Sequence, residues 1–270
     1  MSKYLFTINT FLLLFLQPGE GQSLRQPIAA VYPGQGAYST THVDVFAFVN
    51  NQAGLARVKH LSAGIYSERR FLLTETSLHI AALAIPSKLG NFGINVKYAG
   101  FKNFNENQIG LAYARSLGTL VDIGLQFNYY AYRVPSYNNA GAVNFELGAI
   151  FHLTSSLNAG IHVYNPVGGH LGNTGEKLSA VYKMGLGYDA SQKVFVIAEI
   201  VKEEDFPVNI NAGLQYRFVK QFFIKTGFST ASSTAYGGAG ISWNNFQLEI
   251  NGSYHQQLGW SPGFLLMMNP

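Results

Sequence analysis

Residues 208–218 read Val-Asn-Ile-Asn-Ala-Gly-Leu-Gln-Tyr-Arg-Phe. Apolar residues alternate with polar or small ones at every position of this stretch. Successive side chains of a β-strand point to opposite faces, so the stretch predicts a strand with one apolar face and one polar face. The predicted apolar face carries Val208, Ile210, Ala212, Leu214, Tyr216 and Phe218, and the other face carries Asn209, Asn211, Gly213, Gln215 and Arg217.

The same alternation recurs from about Lys59 to the C-terminus, in segments that polar or glycine-rich turns separate. We count about fourteen segments, the second over 71–86 and the last over 261–268, and a count of twelve or sixteen also fits. An even number of alternating strands of roughly ten residues is typical of a barrel whose outside meets lipid. The sequence therefore predicts an all-β fold, a transmembrane antiparallel up-and-down β-barrel of about fourteen strands.

The links between the predicted strands are of two kinds. Six of them are short and turn-like, and two are clearly longer, 135–141 and the glycine-rich 166–177. Short turns face the periplasm in such barrels and longer loops face outwards. The short links are marked by Ser87-Lys88, Gly118, Thr154-Ser155, Ala190-Ser191, Val219-Lys220 and Asn244-Asn245.

The first residues resemble an export signal. Lys3 precedes an apolar stretch over residues 4–16, and the small residues that follow place a cleavage site between Gly21 and Gln22. This apolar run is shorter than the ~20 residues that a membrane-spanning helix needs. We therefore predict a signal peptide over 1–21, a plug segment over 22–58 and a barrel over 59–270, located in the outer membrane of a Gram-negative bacterium.

Composition agrees with a membrane barrel. Charged residues are 12% of the chain, about half of the ~25% usual in soluble domains, and aromatic residues are 14%. Several of the sixteen tyrosines stand near predicted strand ends, where aromatic girdles of a barrel lie. The net charge is +4, but the basic residues are scattered, so the sequence predicts no nucleic-acid partner and instead predicts contact with outer-membrane lipid.

Strand parity assigns the charged side chains to the lumen. A lysine or arginine on the lipid face at mid-bilayer costs about 2–4 kcal/mol. In each strand, the alternate positions that carry charged residues must therefore face inwards. For these groups, pairing that fills the barrel is favoured over a polar path for a solute, because buried charges are normally paired. The predicted luminal charges are Lys97, Asp122, Glu146, Lys183, Glu199, Arg217, Lys225 and Glu249.

Residues 23–58 do not show the strand pattern, and here the chain resembles a known family. Asp44, Phe46-Ala47-Phe48, the run from Asn50 to Gln52 and Ala53-Gly54-Leu55-Ala56 resemble the N-terminal signature of the FadL-like outer-membrane barrel superfamily. This chain has Asn51-Gln52 where the family has Asn-Pro. Later stretches resemble the PorV/PorQ branch of Bacteroidetes: Asn165-Pro166, Gly185-Leu186-Gly187-Tyr188, Lys202-Glu203-Glu204, the run 211–216 and the run 255–262.

The resemblance implies a fourteen-stranded barrel whose N-terminal segment folds into the lumen as a plug. It implies two functions. The first is a component or partner of a protein-secretion or surface-assembly complex (type IX secretion), with a translocon or surface protein as partner. The alternative is a FadL-like transporter of small hydrophobic molecules, with a hydrophobic ligand. Because the sequence shows no long apolar outer loop that could collect such a ligand, the first function is preferred at this point.

The residues expected to make plug and lumen contacts are Asp44, Asn50, Asn51, Glu146, Glu199, Arg217 and Glu249. None of them belongs to a known catalytic motif: no G-x-S-x-G elbow, Walker loop or H-E-x-x-H spacing occurs. The sequence therefore predicts no enzymatic activity, no metal site and no cofactor.

Overall fold

The computed structural model describes residues 32–134, 139–168, 178–230 and 233–268. Within them the chain forms a single closed sheet of fourteen antiparallel strands. The signal peptide predicted over 1–21 lies outside the described residues. The strands are β1 Ser62–Arg69, β2 Ser77–Ile85, β3 Asn91–Phe101, β4 Phe104–Leu117, β5 Val121–Arg133, β6 Asn139–His152, β7 Leu157–Tyr164, β8 Val181–Asp189, β9 Val194–Glu203, β10 Asn209–Arg217, β11 Phe222–Ser229, β12 Thr234–Trp243, β13 Phe246–His255 and β14 Gly259–Met268.

Each strand pairs with its neighbours in sequence, and the barrel closes where β1 pairs with β14. That last pairing runs antiparallel from Ala63 opposite Met268 to Glu68 opposite Gly263. The strand count and the up-and-down topology predicted from the sequence are confirmed. No helix in the described part of the chain is long and apolar enough to cross a membrane.

The two faces of the wall follow the predicted parity. In β10, Ile210 and Leu214 are 45% and 38% exposed on the outside, whereas Asn211 and Gln215 are 7% and 4% exposed on the inside. The same inside-polar, outside-apolar pattern holds in β5, β6 and β13. The barrel therefore presents an apolar outer surface and a largely polar lumen, as the lipid around it requires.

The second strand begins later than predicted, at Ser77 rather than at residue 71. Residues Arg70–Leu72 and Thr74–Thr76 form two short 3-10 turns instead, and Phe71 and Leu72 take left-handed φ angles of 55° and 60°. Hydrogen bonds explain the turn: Thr76 Oγ1 donates to the Arg70 carbonyl, and the Phe71 amide donates to Ser261 Oγ of β14. The β1–β2 link is thus an outer loop with apolar residues, which the sequence alone did not predict.

The other links fit the predicted orientation with one difference. The short turns after β2, β4, β6, β8, β10 and β12 share one end of the barrel with the start of β1 and the end of β14. At the other end, the β3–β4 link has only two residues, 102 and 103, so not every outer link is long. Most of the predicted loop 166–177 lies outside the described residues.

Candidate functional site: a plugged lumen

Residues 32–58 form a plug inside the barrel. The plug contains a 3-10 helix over Pro33–Tyr38, the α-helix α1 over Ala47–Asn50 and a second 3-10 helix over Gln52–Arg57. Asn51 begins the last of these, because its side chain accepts a hydrogen bond from the amide of Ala53. Most plug side chains are buried, and Tyr38, Phe46 and Phe48 are fully enclosed. The N-terminal luminal plug implied by the resemblance is therefore present.

Glycines on the inner face of the wall make room for the plug. A Cβ atom built on Gly124 would overlap the backbone of Gln52, and one on Gly148 would overlap the side chain of Asn51. The ring of Tyr38 fills the space above Gly160 and Gly185 in the same way. Inward glycines in contact with the plug occur on most sides of the barrel: Gly64, Gly93, Gly124, Gly148, Gly160, Gly185, Gly187 and Gly213. These glycines lie towards the end with the short turns, so the plug occupies the periplasmic half of the lumen.

One sector of the wall is apolar inside the lumen. On β14, β1 and β2 the inward side chains include Leu265, Tyr66, Leu78 and Ile80, none more than 2% exposed. They form one hydrophobic cluster with Tyr32, Val45, Phe46, Phe48, Leu55 and Val58 of the plug. We call the inward side chains Tyr66, Leu78, Ile80, Ala82, Ala84, Leu265 and Met267 the apolar wall. It is continuous across three neighbouring strands and covered by the plug.

Elsewhere the plug is held by hydrogen bonds to luminal carboxylates. Asn50 Nδ2 lies 2.7 Å from Glu199 Oε1, and its Oδ1 accepts from Lys183 Nζ at 2.9 Å. Gln52 Nε2 lies 2.5 Å from Glu146 Oε2. Glu146 also accepts from Gln126 and Asn128 and contacts His162. Because these carboxylates are buried, such partners satisfy oxygens that water does not reach.

A third carboxylate, Glu249, bridges plug and wall on the other side of the lumen. It accepts from Tyr32 Oη at 2.6 Å and pairs with Lys225 Nζ at 2.9 Å. Both charged side chains of this pair are almost fully buried. Tyr32 also stacks against Tyr66 and meets Tyr236 edge-on, so this contact joins the polar sector to the apolar wall.

The remaining sequence-predicted contact residues have different roles. Asn51 Nδ2 donates to the Ile161 carbonyl of the wall at 3.0 Å. Asp44 is 7% exposed and makes a hydrogen bond within the plug, where its Oδ1 accepts from the Phe46 amide at 2.8 Å. Burial raises the pKa of Asp44 to about 6. Arg217 lies at the periplasmic end and donates to the Lys220 carbonyl of the adjacent turn, away from the plug.

Sequence reasoning missed several plug residues that contact the wall. Arg57 Nε lies 2.5 Å from Asp122 Oδ2, and the same oxygen lies 2.7 Å from His152 Nε2. The Tyr38 carbonyl accepts a hydrogen bond from Asn158 Nδ2 of the wall. The signal that could have revealed them is the recurrence of glycine at inward positions on successive strands, because a luminal glycine in a wall of larger residues indicates a close neighbour.

The outer half of the lumen carries polar atoms without protein partners. Lys97, Gln108 and Tyr130 are directly opposite one another on β3, β4 and β5, and each is at most 2% exposed. Within the described residues, Gln108 Nε2 has no hydrogen-bond partner. Tyr130 Oη lies beside the Glu106 carboxyl without a hydrogen bond of ordinary geometry, and Lys97 interacts with the charge of Glu146. We call these three residues the outer donor row. Buried polar groups are normally satisfied, so the Gln108 amide in this row calls for water or a bound molecule.

A small cavity lies between plug and wall. Its volume is about 10 Å³, enough for one water molecule, and it is lined by Gln35, Asn50, Ile197, Glu199, Asn211, Ala212 and Tyr236. Gln35 Oε1 at this site has no partner within the described residues. The plug therefore fits the wall closely here.

Several solved structures have this architecture. The chain aligns over 92% of its length with 97% of the CymD monoaromatic hydrocarbon channel, at a TM-score of 0.63 and 10% identity. The toluene transporter TbuX of Ralstonia pickettii aligns with 83% of this chain and 92% of its own, at a TM-score of 0.60 and 9% identity. A FadL homologue of Pseudomonas aeruginosa aligns with 88% of this chain and 97% of its own, at a TM-score of 0.60 and 10% identity.

This chain has a FadL-like fold. At such low identity the similarity concerns the fold, and it supports a location in the outer membrane. No protein-family model matches the sequence, and no curated protein matches it either. The FadL-like part of the resemblance is supported, whereas the PorV/PorQ branch is not. The comparisons contain no support for a component of type IX secretion.

Proposed function

We propose that this barrel lets small hydrophobic molecules cross the outer membrane through its lumen, and that the plug closes the periplasmic half of the path. The observation that carries the proposal is the apolar wall. On β3 and β5 the inward side chains are mostly polar, whereas β14, β1 and β2 together bring the seven apolar side chains of the apolar wall against the plug. A hydrophobic molecule can occupy that surface when the aromatic side chains of the plug leave it.

The burial of the plug side chains sets the cost of this exchange. Phe46, Phe48 and Leu55 are fully buried against the wall, and burying one such side chain contributes about 1.5–3 kcal/mol. A hydrophobic solute that takes their place buries the same wall residues, so it offsets part of the loss. A polar solute gains nothing from this surface, which makes the wall a source of selectivity.

The fold similarity is a second support. The compared proteins include monoaromatic hydrocarbon channels and a toluene transporter. The outer donor row, Lys97, Gln108 and Tyr130, adds a polar region above the plug, and Gln108 Nε2 in it has no protein partner among the described residues. A solute that enters from outside meets these polar side chains before it reaches the apolar wall.

Uptake of radiolabelled toluene and of a polar solute of similar size, arabinose, into cells that express the barrel tests the proposal. We expect faster toluene uptake than in cells without the barrel and no gain for arabinose. Ile80→Asn, which places an amide on the apolar wall, should reduce toluene uptake several-fold. The matched control is Ile197→Asn, because Ile197 is also a buried luminal residue next to the plug but lies outside the apolar wall. Equal uptake by the two variants would contradict the role of the wall.

A further inference from the structure

The periplasmic end of the barrel carries exposed charges of one sign. Among the described residues, its exposed charged side chains are Lys59, Lys88, Arg115, Lys193 and Lys220. The acidic strand-end residues there, Asp122 and Asp189, point inwards and are 0% and 6% exposed. We call the five exposed side chains the basic rim. The opposite end differs, because Glu75, Glu204 and Asp205 are exposed there together with basic residues.

Neighbouring hairpins bring the rim charges into two groups. In the first, Asn91 pairs with Ala114, so the turn that holds Lys88 lies beside Arg115. Tyr113 Oη fixes that turn by donating to the Leu89 carbonyl at 2.6 Å. In the second group, the Arg217 amide donates to the Lys193 carbonyl at 2.8 Å, and its guanidinium donates to the Lys220 carbonyl at 2.9 Å. Arg217 thereby ties the turns of Lys193 and Lys220 together.

Large apolar side chains stand next to these charges and face outwards. Leu89 follows Lys88 and is 78% exposed, and Val219 precedes Lys220 and is 51% exposed. Trp243 is 76% exposed, and the bond from the Ser242 amide to the Gln221 carbonyl places it beside the Lys220 turn. A surface for a soluble acidic partner would not need these apolar groups. A lipid needs both, because its chains contact apolar side chains while its phosphate meets lysine at the interface.

We propose that the basic rim binds anionic glycerophospholipids of the periplasmic leaflet, with the Lys193–Lys220 group and Trp243 forming one such site. Charge complementarity supplies the selectivity: a zwitterionic lipid carries no net charge, whereas an anionic one is attracted by every lysine within a Debye length. The site surrounds the turns that close the periplasmic end, so bound lipid orders the part of the barrel that encloses the plug.

The two tryptophans of the chain provide the test. Trp243 lies at the periplasmic end, and Trp260 lies near the outer end of β14. Trp260→Phe leaves Trp243 as the only indole, and Trp243→Phe leaves Trp260. Each variant is reconstituted in phosphatidylethanolamine vesicles that contain either brominated phosphatidylglycerol or brominated phosphatidylethanolamine at equal mole fraction. Quenching of the indole then reports which lipid lies next to it.

We expect brominated phosphatidylglycerol to quench Trp243 with an apparent affinity roughly threefold to fivefold above that of the zwitterionic lipid. Lys193→Gln with Lys220→Gln should remove the preference, and the matched pair Lys102→Gln with Arg133→Gln at the outer end should keep it. In the protein with its rim lysines intact, 0.5 M salt should reduce the preference for the anionic lipid. Equal quenching by the two lipids would overturn the proposal and leave the rim to a protein partner. A preference that survives the rim substitutions, or one equally strong at Trp260, would also overturn it.

Discussion

The aromatic ring of Tyr38 in the plug lies against Gly185 on the inner face of β8. Gly160, the cross-strand partner of Gly185, contacts the other edge of the same ring. Neither position has space for a Cβ atom while the ring is there. The position of the plug is thus determined as much by missing wall side chains as by the hydrogen bonds to Glu146, Glu199 and Glu249.

Gly185→Ala should therefore loosen the plug. The added methyl group meets the ring of a fully buried tyrosine, and overpacking of this kind costs about 1–3 kcal/mol. We expect a lower thermal unfolding midpoint in detergent and faster proteolysis within 32–58. Gly237→Ala is the matched control, because a Cβ there would have only the Lys225 carbonyl oxygen nearby, at an ordinary 3.7 Å. Tyr38→Ala combined with Gly185→Ala should recover part of the loss, and equal effects of the two glycine substitutions would refute the close fit.

The Lys225–Glu249 pair should behave as a unit. Both partners are buried, so Lys225→Met leaves the Glu249 carboxylate without its cation and should destabilise the barrel by about 3–5 kcal/mol. The double variant Lys225→Met with Glu249→Gln should be less destabilised than the sum of the two single changes, because neither charge is then left alone. Urea unfolding followed by tryptophan fluorescence measures the unfolding free energies of the wild type, the two single variants and the double variant. Additive effects would show that the pair is not coupled.

Lys97→Met is predicted to stabilise the barrel, in contrast to Lys225→Met. Lys97 is 2% exposed and makes no hydrogen bond within the described residues. Glu146, the nearby carboxylate, already has four other partners. The burial of Lys97 is offset by the charge of Glu146 but by no hydrogen bond, so removal of its charge should raise the stability by about 1 kcal/mol. The same unfolding assay decides it, and a loss of stability would show that Lys97 has a partner that holds it.

The pH dependence of the plug should follow Asp44. Burial raises the pKa of Asp44 from its ordinary 3.8 to about 6, so the docked plug prefers the protonated acid. The associated stabilisation is fully present below about pH 4 and is lost as the pH rises through 6. Wild type and Asp44→Asn should have similar melting temperatures in acid, and wild type should become the less stable of the two above pH 6. A difference that does not change with pH would show that Asp44 does not titrate in this range.

The barrel could be predicted from the sequence because strand alternation is a local property. The faces of β10 follow from residues 208–218 alone, and the count of fourteen strands follows from repetition of that pattern. The start of β2 could not be predicted, because residues 71–76 contain no glycine, proline or asparagine that would mark a turn before the alternating stretch. There the bond from the Phe71 amide to Ser261, 190 positions away in sequence, helps to determine the turn.

The plug contacts were only partly predictable for the same reason. Asn50 and Glu199 were both expected to make plug or lumen contacts, but nothing local in the chain indicates that they meet, 149 positions apart. Arg57 and Asp122, 65 positions apart, gave no signal of their contact. Such pairs depend on how far the plug enters the lumen, which the inward glycines and the apolar wall determine together.

A disulfide that locks the plug gives the most direct test of the central claim. The chain has no cysteine, and Ser39 Oγ of the plug lies 2.6 Å from Asp189 Oδ1 of the wall, so Ser39→Cys with Asp189→Cys places two thiols side by side. Toluene uptake is compared in the same protein after oxidation and after reduction. The account predicts uptake in the reduced form and its loss in the oxidised form. Equal uptake in both forms would contradict a gating plug, and no uptake above that of cells without the barrel, in the wild type as in this variant, would contradict the channel itself.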